Sequence, residues 1–101
     1  MARLTKYAFI FKGPGYEDPG RSIQMNSTAF EATIVAVSSI ASACNAAQNL
    51  VDEGFEVIEL CGGFDDTGLE IINKAIDHTI PVGLVGFDDT AKNKLFDFLN
   101  R

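Results

Sequence analysis

Cys61 carries the most reactive side chain of the chain in a setting able to use it. It ends an apolar run, Phe55–Leu60, and opens the turn Cys61-Gly62-Gly63-Phe64, after which Asp65-Asp66-Thr67 begin an acidic helix start. Strand, glycine pair and helix N-terminus, in that order, make the ligand-facing corner of an open α/β sheet. A thiol there is a candidate nucleophile, since a helix dipole favours the thiolate. The acidic neighbours Glu59, Asp65 and Asp66 oppose that effect. The only histidine, His78, falls at the far end of the following helix, roughly 18 Å away at 1.5 Å per residue, so it makes no Cys–His dyad with Cys61 in one chain. The alternative role for Cys61 is a small apolar filler at the top of the core.

The glycine pair has two readings. Gly62 and Gly63 either let backbone N–H groups approach a ligand or serve a turn that needs positive φ. No G-x-G-x-x-G follows any apolar run and no Lys follows the glycines, so neither a dinucleotide fingerprint nor a Walker loop is present and no cofactor is expected. Asp65, Asp66, Asp88 and Asp89 sit after successive strands. Four carboxylates at one sheet edge would suit Mg²⁺, but helix capping accounts for them and no metal site is expected. Lys12 and Arg21 would offset that charge or hold an anion; otherwise they are solvated surface. Cys44 belongs to an apolar helix stripe and reads as core. The ligand-binding residues expected at the corner are Lys12, Gly13, Cys61, Gly62, Gly63, Phe64 and Asp88.

The elements that position these residues follow from periodicity. Tyr7–Phe11 is a strand, ended by Gly13-Pro14-Gly15. Residues 13–30 have no clear period, with a short strand or helical turn allowed around Ser22–Met25. Residues 32–37 form a second strand. Ser38-Ser39 cap a helix over 40–53, whose Ile40, Ala43, Cys44, Ala47, Leu50 and Val51 share one face. Phe55–Leu60 is the third strand, and a helix over 67–78 follows. Pro81 opens a fourth strand, Val82–Phe87, and Asp88 or Asp89 caps a last helix to Leu99 with Ala91, Leu95, Phe98 and Leu99 inward. The pattern predicts one α/β domain over residues 1–101, an open four-stranded, mainly parallel sheet with crossover helices in the flavodoxin-like order 2-1-3-4.

Composition narrows the partners. The 101 residues carry a net charge of −6 and no basic stripe, which excludes the electrostatic grip needed for nucleic acid or an anionic membrane. No run approaches the ~20 apolar residues of a membrane span. Two cysteines without a metal spacing read as free thiols in a reducing cytoplasm.

Over nearly its whole length the chain resembles a family of small, mostly bacterial proteins, domain-of-unknown-function family 6506. The most specific segment is Ile58-Glu59-Leu60-Cys61-Gly62-Gly63-Phe64. Supporting pieces are Ala8–Phe11, the Pro14-Gly15 and Asp18-Pro19 turns, Gly54, and Pro81-Val82-Gly83. The chain departs from the family pattern at Gly86, where Arg is expected, and at Asp65, where Gly is expected. The resemblance implies a fold and a corner but no reaction.

Two functions are therefore expected to compete. One is a small-molecule-binding protein with its site at the strand C-termini around the Cys-Gly-Gly-Phe turn, or an enzyme using Cys61. The other is a non-catalytic oligomeric or interaction module. A homodimer is expected on separate grounds. In the order 2-1-3-4, right-handed crossovers put helices 40–53 and 67–78 on one face. The last helix alone does not cover the other face, whose apolar residues a second copy would bury, with Phe96 toward the partner.

Overall fold

The computed structural model describes all of residues 1–101. Five strands, β1 (Lys6–Lys12), β2 (Arg21–Gln24), β3 (Glu31–Val37), β4 (Val57–Leu60) and β5 (Val82–Leu84), form one sheet, with helices α1 (Ile40–Asp52), α2 (Asp66–Ala75) and α3 (Asp89–Leu99). The strand order is β2-β3-β1-β4-β5. β3, β1, β4 and β5 run parallel, which is the 2-1-3-4 order of the four expected strands. The expectation of four strands needs one correction. β2 adds an antiparallel edge beside β3, with Ile23 opposite Ile34, so the sheet is mixed and five-stranded.

β2 comes out of the segment without a period, and side-chain bonds hold that segment down. Ser38 Oγ accepts the Tyr16 N–H at 2.8 Å and donates to the Gly13 carbonyl at 2.8 Å. Ser42 Oγ donates to Asp18 Oδ1 at 2.9 Å. Gly20 is obligatory: its φ is +89°, and a Cβ there would collide with the Ala36 carbonyl oxygen.

Strand alternation sorts the sheet into two faces. Ala8 and Ile10, Val35 and Val37, and Ile58 and Leu60 point to the side of α1 and α2, where they join Ala43, Ala47, Leu50, Phe64 and Ile72 in the core. Ile10, Ile58, Leu60, Ile72 and Val37 are the largest side chains fully buried. Truncating one of them to Ala would cost on the order of 2–5 kcal/mol. Ser39 Oγ caps α1 by accepting the Ser42 N–H at 3.1 Å. The other face presents Tyr7, Phe9 and Phe11 beside Ala32, Ile34 and Ala36, with no helix over them.

Two expected element ends shift, each for a local reason, and one expected packing fails. α2 ends at Ala75 rather than 78, because Asp77 and His78 turn left-handed at φ 56° and 54° and the His78 N–H closes onto the Asn73 carbonyl at 2.9 Å. β5 stops at Leu84 rather than Phe87. Its neighbour β4 ends at Leu60, and the Val85 N–H to the Leu60 carbonyl at 2.9 Å is the last rung. α3 spans the expected residues, but the inward packing of Leu95, Phe98 and Leu99 does not occur: none of its residues is buried, and these three are 43%, 60% and 69% exposed. Lys92, Leu95 and Leu99 instead share a cleft with Gly62 and Gly63.

The start of the parallel pairing is fixed by one carboxylate. Glu56 Oε1 accepts the N–H groups of Thr5 and Lys6, both at 2.9 Å, tying the chain before β4 to the start of β1. Those donors hold the Glu56 carboxyl below its ordinary 4.5. A carboxyl lowered in the folded state stabilises above its unfolded pKa, and that contribution is lost as pH falls through the folded value. The variant Glu56→Gln should therefore melt below wild type at pH 7, with the gap closing under about pH 4.5 in pH-resolved thermal melts. A gap constant with pH would show that Glu56 acts by shape alone.

Candidate functional site at the C-terminal sheet edge

The strand ends converge where expected. The Cys61 N–H reaches the Ile10 carbonyl at 3.1 Å, placing the turn directly beside the end of β1. Cys61 Sγ then accepts the Lys12 N–H at 3.4 Å and the Gly63 N–H at 3.3 Å. Its neighbours are thus backbone donors, and no general base is among them. His78 lies past the opposite end of α2. The thiol is half-buried and pins the turn to β1, which is a structural use of its sulfur.

The positive-φ reading fails for both glycines. Neither has a positive φ, so the turn does not require glycine for its dihedrals. Gly63 is needed for space: a Cβ there would sit 3.2 Å from Cys61 Sγ and 3.3 Å from the Lys12 carbonyl oxygen. Gly62 has room, its nearest neighbour in that direction being the Val85 carbonyl oxygen at 3.9 Å.

Gly62 and Gly63 form one wall of a cleft of about 480 Å³. Val85, Gly86 and Phe87 make the floor, and Lys92, Leu95 and Leu99 of α3 make the opposite wall. The N–H groups of Gly62, Gly86 and Phe87 make no hydrogen bond within the protein. The cleft thus offers apolar walls, unpaired backbone donors and one ammonium.

The other expected site residues surround the cleft without lining it. Gly13 uses both backbone groups, its N–H on the Val37 carbonyl at 2.9 Å and its carbonyl on Ser38 Oγ. The Lys12 ammonium lies over the Phe64 ring, 5.4 Å from its centre. Phe64 is buried in the core. Asp88 Oδ1 caps α3 on the Ala91 N–H at 2.8 Å, and Asp65 Oδ1 caps α2 on the Gly68 N–H at 2.8 Å. No three His, Cys, Asp or Glu side chains come together in a way that would hold a metal ion. Sequence reasoning missed Lys92, Leu95 and Leu99 as site residues, because their helical spacing reads as a core face.

A second concavity, of about 420 Å³, also lay outside the expected site. It runs between β2, β3 and α1 and is lined by Arg21, Gln24, Asn45, Asn49 and Glu53 among others. Asn45 and Asn49, one turn apart in an otherwise small-residue helix, are its only trace in the sequence.

A family model matches residues 5–100, from just before β1 to just past α3, and so takes in both walls of the cleft. The chain belongs to the family of unknown function DUF6506. Neither a curated protein nor a solved structure matches it. Within this DUF6506 chain the Cys-Gly-Gly-Phe corner divides its labour: Cys61, Gly63 and Phe64 hold the turn together, and Gly62 is free to face whatever enters the cleft.

That division has a measurable consequence. Gly63→Ala should destabilise the protein by about 1–2 kcal/mol, since Cys61 Sγ and the Lys12 carbonyl oxygen would both have to give way to the new Cβ. Gly62→Ala should stay within about 0.5 kcal/mol of wild type. Urea melts of the two variants test this, and equal losses would contradict the division.

Proposed function

We propose that this protein binds a small molecule in the cleft between the Gly62-Gly63 turn and α3, and that the ligand carries an anionic group on an apolar body. The observation that carries this reading is that Gly62, Gly86 and Phe87, whose N–H groups have no partner in the protein, line one cleft with Lys92 and the apolar Val85, Leu95 and Leu99. Ligand sites of open parallel sheets lie at this edge, and a cleft of this size falls in the range of small-molecule pockets. Backbone donors and an ammonium select a carboxylate or phosphate, while the apolar walls select what it is attached to. The groove beside α1 lacks comparable apolar walls, which makes it the poorer pocket.

Binding is favoured over catalysis because Cys61 sits among backbone donors with no partner to take its proton. The setting that fits is a reducing cytoplasm, in keeping with two free cysteines and with no helix long and apolar enough to cross a membrane.

Amide NMR titration with a panel of alkyl and aryl carboxylates tests the reading. The Gly62, Gly63 and Gly86 resonances should shift together and saturate, and Lys92→Glu should weaken binding at least ten-fold. Shifts confined to Asn45 and Asn49, or none at all, would overturn the assignment.

A further inference from the structure

Two apolar surfaces of this chain are left without a partner. One is the sheet face opposite α1 and α2. Its register places Ile23, Ile34 and Phe9 in one row across β2, β3 and β1, and Phe11 beside Ala36 in the next. A depression of about 250 Å³ opens there, floored by Phe11, Ile34 and Ala36 and rimmed by Tyr16, Ile23 and Arg21. The Tyr16 ring meets Phe11 edge-on at 5.4 Å and gives the depression a firm wall.

The other surface is α3. At about 100° per residue, Ala91, Leu95, Phe96, Phe98 and Leu99 fall within an arc of roughly 160°. The cleft uses only the part holding Leu95 and Leu99. Phe96 and Phe98 flank that part and remain 66% and 60% exposed.

The exposed area shows how much is missing. A folded monomer of 10.9 kDa should expose roughly 5,600 Å², whereas this chain exposes 6890 Å². The excess is about 1,300 Å² per chain. The exposed residues 1–5 supply part of it, and half of it, buried by each of two chains, already reaches the roughly 1,200–2,000 Å² total of a standard stable interface. The molecule is also elongated, with a radius of gyration of 14.4 Å against about 13 Å for a compact chain of this length.

We propose that the uncovered sheet face docks a second copy of this chain, α3 of each protomer lying across the other's face with Phe96 seated in the depression between Phe11, Ile34 and Tyr16. A two-fold pairing covers both surfaces in both copies at once and closes on itself. The occupant comes from the partner because α3 starts beyond β5, at the opposite sheet edge from β2. The Asp88 cap and the cleft wall fix its departure toward the Gly62-Gly63 turn instead. The helix is about 16 Å long, enough to span β2, β3 and β1 of a partner.

Light scattering on the full chain at about 10 µM tests this, with far-UV circular dichroism to report folding. Wild type should have about twice 10.9 kDa. Phe96→Glu on α3 and Ile23→Lys on β2 change residues 66% and 62% exposed, so both should fold. Each should run as a single chain. Mixing a tagged Ile23→Cys chain with an untagged Phe96→Cys chain, both with Cys44 and Cys61 replaced by Ser, should give a bismaleimide crosslink between the two masses. A single-chain mass for wild type overturns the proposal, with α3 then expected on its own sheet. A dimer that survives either folded charge variant, or an absent crosslink in a dimer, overturns it as well.

Discussion

The structure depends on the handedness of its crossovers. β3 is sequentially followed by α1 and then by β4, with β1 lying between the two strands, and α2 carries β4 on to β5 in the same direction. Right-handed connections then leave both helices no choice of face. The core cluster lies under them: Ala8, Ile10, Val35, Val37, Ile58 and Leu60 from the sheet, Ala43, Ala47 and Ile72 from the helices. The small residues of α1 let it lie close to the sheet, and Gly68 lets α2 come up to Ile40, where a Cβ would stand 3.1 Å from Ile40 Cδ1. One face is packed to the density of a core, and the other carries aromatic and branched side chains without cover. Only 17 of 101 residues are buried, which is the direct result of that asymmetry.

The same constraint builds the corner. β1 and β4 are neighbours in register, Ile10 opposite Leu60, so the chain leaving β4 at Cys61 must turn against the chain leaving β1 at Lys12. The thiol accepting the Lys12 and Gly63 N–H groups, the Lys12 ammonium over Phe64 and the absent side chain at Gly63 are all consequences of that proximity. A residue type that suggests catalysis in a sequence here serves the packing of a turn. The turn leaves unused one side of Gly62, and the N–H groups of Gly86 and Phe87 after β5 have no partner in the protein.

Much of this was legible in the sequence because period and punctuation agree for these elements. The apolar runs at 7–11 and 32–37, the small-residue stripe from Ile40 to Val51, and the caps Ser39 and Asp88 each carry their own local signal, and together they give four parallel strands in the observed order. β2 was hard to place because Arg21-Ser22-Ile23-Gln24 is an exposed edge strand, paired on one side only and without an apolar alternation to mark it. The length of β5 depends on where its neighbour ends, which no property of Val85-Gly86-Phe87 reveals. For α3 the period was read correctly and its meaning was not. An apolar stripe specifies that a helix seeks a surface, but not whether that surface belongs to its own chain. The cleft residues Lys92 and Leu95 were missed for the same reason.

α3 is therefore the element on which the proposed site and the proposed pairing meet. Its Lys92, Leu95 and Leu99 close the cleft, and its Phe96 and Phe98 are the largest apolar groups it leaves in water. Beyond the Asp88 cap and the cleft wall, little in a single chain holds it, since none of its residues is buried. A helix so placed loses freedom when either surface is occupied. A partner's sheet face that fixed Phe96 would also fix the wall carrying Lys92, and a ligand would then have less ordering left to bring about. Linkage makes the effect mutual: by whatever factor pairing tightens the ligand, the ligand tightens the pair. On the proposed pairing, the copy that covers the open face would also steady the α3 wall of the cleft.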